Sequence, residues 1–248
     1  MLNLDPITLT LIIPLLGAAG AFLLKFFRAR VWAGGVVALS LLASTTLALL
    51  SAARLARKGA VLRVVGGWTP AVGIHLSLDG PAAVLLITLF VVSLLVLLYA
   101  LGEGEYGSLF YGTYAIAVVG MAGVILSADL FNLFVFFEVL SLSATILIAY
   151  KRRLPGLYAA FRYLLVTALS VVLYLLGVFL VYRATGELAL ERILASGSGF
   201  GGSLGMRGSL GMRGALDPLG IAGVLLFSGV AIRAALVPFH AWLADAHS

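Results

Sequence analysis

Apolar residues in this chain come in long unbroken runs separated by short polar punctuation. Seven runs, 7–27, 31–53, 81–101, 108–128, 130–150, 163–182 and 218–237, reach the length of about 20 residues that a helix rising roughly 1.5 Å per residue needs to cross a bilayer core. Runs 81–101, 108–128 and 163–182 hold no charged residue, and Lys25 sits near the end of the first, where its stem can carry the ammonium to the interface. A membrane β-barrel would instead show alternating segments of about ten residues. The pattern predicts an all-α fold, a polytopic transmembrane helix bundle of about seven spans. Composition agrees: 62% of the 248 residues are hydrophobic, and 16 basic and 10 acidic residues leave too little charge to coat a water-soluble fold.

Residue usage excludes several chemistries. With no cysteine there is no disulfide framework, thiolate metal site, iron–sulfur cluster or cysteine nucleophile, and three histidines are too few to predict a metal centre. The net charge of +6 reads as basic loops held against anionic lipid, not as a nucleic-acid surface. Residues 1–5 carry no basic side chain and include Asp5, so the first run is expected to be a retained span rather than a cleaved leader. Lysines and arginines divide seven to eight between the two sides of a seven-span bundle. The tightest group, Lys151-Arg152-Arg153, follows a span directly and places that loop in the cytoplasm and the N-terminus outside, in a plasma-membrane protein. The segment 195–214 holds eight glycines and a perfect tandem repeat, Ser203-Leu-Gly-Met-Arg-Gly208 and then Ser209-Leu-Gly-Met-Arg-Gly214. It reads as a surface insertion, with a headgroup or partner contact through Arg207 and Arg213 as the alternative. Residues 54–63 read as an interfacial loop.

Two charges fall well inside predicted spans: Glu138 in the fifth and Arg233 in the seventh. A charge at the centre of a membrane helix costs about 2.5–3.5 kcal/mol on insertion scales. Arginine in practice keeps its proton, so it needs a counter-charge or a wet cavity. Glu138 is the carboxylate available inside a span, and the economical expectation is that the two pair. Ser141 and Thr145 fall on the Glu138 face of the helix and form a polar stripe, serving either a hydrated relay or small-residue packing. Asp129 and Asn132 stand at the span's edge, where they are expected to cap it. In the seventh span Pro238 cannot donate to the carbonyl of Ala234, next to Arg233, which predicts a helix broken beside the charge. His240, Asp245 and His247 follow, as relay candidates or interfacial residues; two histidines with no clear third ligand predict no metal.

Asp129-Leu-Phe-Asn-Leu-Phe-Val-Phe-Phe-Glu138-Val-Leu-Ser141 resembles the fifth-helix motif of the antiporter-like proton-conducting subunits of respiratory complex I, Mrp-type cation/proton antiporters and membrane-bound hydrogenases. The stretch from Ile232 to Ser248, with Arg233, Pro238, His240, Trp242, Asp245 and His247, resembles their broken seventh helix and its continuation, and Leu78-Asp79-Gly80-Pro81 is similar to the entry of their third. The resemblance covers nearly the whole chain. It implies three N-terminal spans in 1–106 and the first, incomplete part of the antiporter-like repeat in 107–248. It implies ion translocation, of protons or sodium, by the glutamate and the basic residue, with no redox cofactor in the chain itself. It also implies partners: other membrane subunits of a respiratory or antiporter complex, including a chain supplying the missing second repeat. The chain departs from the family in one residue, since the seventh-helix basic group is usually a lysine whose proton affinity changes with its glutamate. An arginine there is expected either to act as a fixed charge on Glu138 or to leave this half without pumping, in a purely structural role. The other readings are a non-conducting structural subunit, a secondary transporter clasping a small zwitterion between Glu138 and Arg233, and, more remotely, an intramembrane enzyme.

Overall fold

A computed structural model describes residues 5–27, 30–65, 73–195, 218–240 and 242–243. The elements in order are α1 (Pro6–Phe26), α2 (Arg30–Lys58), β1 (Val61–Val65), β2 (Ile74–Leu78), α3 (Gly80–Glu103), α4 (Ser108–Leu126), α5 (Leu130–Ile148), α6 (Leu154–Thr185), α7 (Leu190–Ala195) and α8 (Pro218–Arg233). Among the described residues, six helices, α1 to α6, are long and apolar enough to cross a membrane. The protein is an all-α membrane bundle. The seventh apolar helix, α8, has 16 residues, which at about 1.5 Å each falls short of a bilayer core.

The termini of these helices follow local chemistry. Asp79 caps α3 by accepting from the backbone N of Ala82 at 2.8 Å, with Pro81 in the first turn. Asp129 caps α5 by accepting from Asn132 N at 2.6 Å. Gly104 and Gly186 close α3 and α6 at φ 67° and 71°, backbone that costs glycine nothing.

Packing falls into two groups. In the first, α1 packs on α2 and α4, and α2 on α3, around Val37, Leu41, Leu86, Phe90 and Val118. In the second, α8 lies along α6 and α5 joins them, around Leu130, Tyr174, Val178, Val181 and Leu226. Leu85, Val92, Leu95 and Leu98 on α3 stand exposed, as do Leu165, Leu169, Val172 and Phe179 on α6. Hydrocarbon is as apolar as these side chains, so leaving them outward costs little.

The structure departs from the pattern reading in three places. Residues 54–63 are not a loop: α2 runs on to Lys58, and β1 then pairs antiparallel with β2 in the register Val61↔Leu78 to Val65↔Ile74. A five-residue strand gives too short an alternation to stand out between spans. The sixth helix is 32 residues, Leu154–Thr185, where 163–182 was expected. Hydropathy locates the part of a helix inside hydrocarbon; Arg162 and Arg183 leave that zone without ending the helix. The third departure, at α8, is described with the site. At one end of the bundle the connections join into a collar. Ala128 N donates to His75 O at 2.9 Å, Leu130 N to Leu188 O at 3.0 Å, and Leu190 N to Ala128 O at 3.0 Å. The glycine-rich segment beyond Ala195, with Arg207 and Arg213, lies outside the described residues, as do Asp245 and His247.

Candidate functional site

The Asp129 cap sets the register of α5 and carries Glu138 about 12 Å along the helix axis from Leu130. From the other side, α8 stops at Arg233 by a specific turn. Leu236 N donates to Ala231 O at 3.0 Å and Ala235 N to Ile232 O at 3.2 Å, with Ala235 left-handed at φ 51°. This is the Schellman closure of a helix end. Trp242 Nε1 adds a bond to Ile232 O at 3.1 Å. Arg233 is therefore the last helical residue, where the negative end of the helix dipole favours a cation. The predicted break is thus corrected in its cause: the helix ends five residues ahead of Pro238, through the turn at Ala235, and Pro238 sits exposed in the chain that follows. Because this turn imposes a left-handed backbone on an alanine, Ala235→Gly should stabilise the fold by about 1 kcal/mol, read as a rise in the thermal unfolding midpoint of the chain in detergent.

Arg233 is ringed by acceptors. Nη2 donates to Glu138 Oε1 at 2.6 Å, Nη1 to the Phe137 carbonyl at 2.9 Å and also to Ser141 Oγ, and Nε to Ser170 Oγ at 2.9 Å. The guanidinium carbon lies 4.9 Å from the centre of the Phe137 ring. The Arg233 side chain is 10% exposed and that of Glu138 is 32% exposed, so the carboxylate is the open member of the pair. One side chain on α8 thereby ties α5 and α6 together. Its planar fork is what makes four partners reachable; an ammonium, a point charge on a flexible stem, matches that set poorly.

Ser170 is fully buried and also donates to the Gly229 carbonyl at 2.7 Å, binding α6 to α8 one turn before Arg233. Tyr163, on the same helix, neighbours Ser141 and feels the charges of both Arg233 and Glu138. Tyr174 donates to the Leu130 carbonyl at 3.1 Å and sets its ring edge against Phe137. Sequence reasoning passed over Ser170, Tyr163 and Tyr174. The available signal was their spacing with Thr167: positions 163, 167, 170 and 174 form a polar line down one face of an otherwise apolar helix.

The structure brings Glu138, Arg233 and Ser141 together. Thr145 stands one turn further along α5, where its hydroxyl donates to the Ser141 carbonyl at 2.8 Å. His240 is exposed, and its backbone carbonyl accepts from Leu243 N at 3.0 Å. Among the described residues, no group of three or more His, Asp or Glu gathers as a metal site.

Fold and site together define a polytopic membrane protein with a charged pair held between its fifth helix and the cut end of a shorter one. Comparison with known proteins narrows the class. Residues 127–248 match the family model described as "NADH:quinone oxidoreductase/Mrp antiporter, TM". Over 97% of its length the chain is 33% identical to a membrane-complex relative from Desulforudis audaxviator, a subunit of its NADH-quinone oxidoreductase, covering 46% of that protein. Over 96% it is 30% identical to a Na(+)/H(+) antiporter subunit of Bacillus subtilis, covering 46% of it. A chain in the solved structure of the membrane-bound sulfane sulfur reductase, an archaeal respiratory membrane complex, superposes with a TM-score of 0.84 at 25% identity, over 97% of this chain and 47% of that one. The chain belongs to this family of antiporter-like membrane subunits and spans about half the length of the curated relatives it matches.

Proposed function

We propose that the chain is part of an ion-translocating subunit of a multi-subunit membrane complex in the plasma membrane, and that Glu138 is the group that takes up and releases the ion. The observation that carries this reading is the Glu138–Arg233 contact at 2.6 Å, made between α5 and the end of α8. Intramembrane charges are costly and mark ion pathways by default, and transporters build ion sites at the ends of interrupted helices. Arg233 keeps its charge, so the exchangeable proton, or a sodium ion in its place, belongs to the carboxylate. About a third of the Glu138 side chain is left open by the chain's own packing, against a tenth of the arginine's. Ser141 and Ser170 hold the guanidinium in place through both settings of the carboxylate. Remaining parts of the path come from other membrane subunits, in keeping with the multi-subunit assemblies in which similar chains occur.

The test is Glu138→Gln in the intact assembly, with ion movement followed in membrane vesicles by a pH-sensitive dye and by sodium flux. The expected result is a fall in transport of at least about tenfold with assembly unchanged. Transport at the normal rate would overturn the proposal in favour of a structural role. That second reading has its own support: the four-way hold of Arg233 makes it a strong tie between helices whether or not an ion passes.

A further inference from the structure

The collar end of the bundle holds a second charged constellation, separate from Glu138 and Arg233. Asp129 is 5% exposed and His75, on β2, is 6% exposed. Both oxygens of Asp129 are engaged by backbone: Oδ1 accepts from Asn132 N at 2.6 Å and Oδ2 from His75 N at 3.1 Å. The Nδ1 atom of His75 lies 4.0 Å from that same Oδ2, beyond hydrogen-bond distance, and has no partner among the described residues. Capping α5 explains why an acid stands at 129. It does not explain why an imidazole is buried facing it with a ring nitrogen unused, since such an atom normally costs free energy unless it is satisfied.

We propose that His75 and Asp129 form a proton-binding site, in which Nδ1 of the imidazole takes a proton from water and turns it onto Oδ2 of Asp129. One N–H bond forms as one O–H bond of the donor water species breaks, and the charge of the pair goes from −1 to 0. Imidazole is the side chain whose ordinary chemistry exchanges protons near neutral pH. Closing the gap to a charge-assisted bond of about 2.8 Å needs a shift of about 1 Å, within reach of a ring rotation. The site lies among the connections at the bundle's end, so the proton need not cross hydrocarbon. Loading it fastens β2 to the start of α5 through a side chain as well as the backbone.

The charged and titratable groups on the packed elements are few. On β1, opposite β2, Arg63 is engaged with Asp5 at 3.1 Å. Beyond β2, Asp79 is occupied in capping α3. At the α6–α7 connection Glu187 pairs with Arg192 at 3.1 Å. From α6, Tyr174 bonds the Leu130 carbonyl next to Asp129 at 3.1 Å and packs its ring against Phe137. Asp129 is thus the acid that faces the imidazole.

The experiment uses the full chain in lipid nanodiscs with 15N-labelled histidine, following the ring nitrogens by NMR from pH 5 to 9; His75→Gln assigns the signal among the three histidines. A proton on Nδ1 is read as the imidazolium pattern of the two His75 ring nitrogens. In Asp129→Asn, which keeps a capping oxygen and removes the charge, the imidazolium-to-imidazole ratio at pH 6.5 should fall at least about tenfold. A His75 ring that stays neutral from pH 5 to 9, or a ratio unchanged by Asp129→Asn, would overturn the site. Should Asp129→Asn not fold, infrared titration of the wild type against His75→Gln decides: loss of one proton uptake in His75→Gln, with the Asp129 carboxylate band unmoved in the wild type, supports it, and equal uptake refutes it. These readings need no transport, so they stand apart from the fate of Glu138→Gln.

Discussion

Arg233→Ala should destabilise the folded chain by about 3 kcal/mol, a fall in the thermal midpoint of very roughly 6–12 °C by circular dichroism in detergent. The change removes four hydrogen bonds at once and leaves Glu138 in the bundle without its partner. Breaking a buried pair by taking one member costs about 3–5 kcal/mol, because the other charge stays desolvated; the exposure of Glu138 puts this case at the lower end. Two companions give the prediction its shape. The double variant Glu138→Gln, Arg233→Ala should lose less than the single one, since no orphan charge remains. Arg233→Lys should fall between, keeping the charge and forfeiting the fork. A midpoint in Arg233→Ala within about a degree of the wild type would mean that the ties between α5, α6 and α8 carry no stability.

Gly229→Leu should be the most disruptive change on the α6–α8 seam. A Cβ at this position meets the Ser170 carbonyl oxygen at 2.9 Å, Tyr174 Cβ at 2.9 Å and Tyr174 N at 3.1 Å. Two of these are backbone and cannot turn aside. The same holds where Gly177 meets the Ala222 carbonyl and Leu226 N, each at 3.0 Å. Any larger residue at 229 therefore pushes α8 off α6, breaks the Ser170 bond to the Gly229 carbonyl and displaces Arg233 one turn further on. We expect a loss of about 3 kcal/mol, the upper end of ordinary overpacking, together with loss of ion transport by the assembly. Thermal unfolding and disulfide trapping between cysteines placed on α6 and α8 measure it. Val230→Leu, which adds bulk next door on a side chain 37% exposed, is the control and should be near neutral.

The fold was legible wherever the membrane imposes a period on the chain. Twenty or so apolar residues in a row have one economical use, so the cores of α1 to α6 stand out. One helix end was legible from its cap, at Asp129; the cap at Asp79 was not read as one. What escaped was structure lying outside the hydrocarbon: the far turns of α2 and α6, and the β1–β2 pairing, where short stretches of ordinary polarity give hydropathy nothing to detect. At the site, Glu138 and Arg233 stood out because charge inside a span is conspicuous. Ser170 was missed because one hydroxyl in an apolar helix is unremarkable until its register with Tyr163, Thr167 and Tyr174 is counted. The turn at Ala235 had no signal, since alanine is the residue least expected in a left-handed cap; the more visible Pro238 drew the break to itself.

The guanidinium at the tip of α8 also fixes the electrical vocabulary of its surroundings. With the carboxylate empty the pair sums to zero, and with it filled the sum is +1; a net negative state does not exist. Such a centre never becomes a sink for cations. On the proposed reading, such a centre would accept a single cation and then oppose a second, whatever else moves around it.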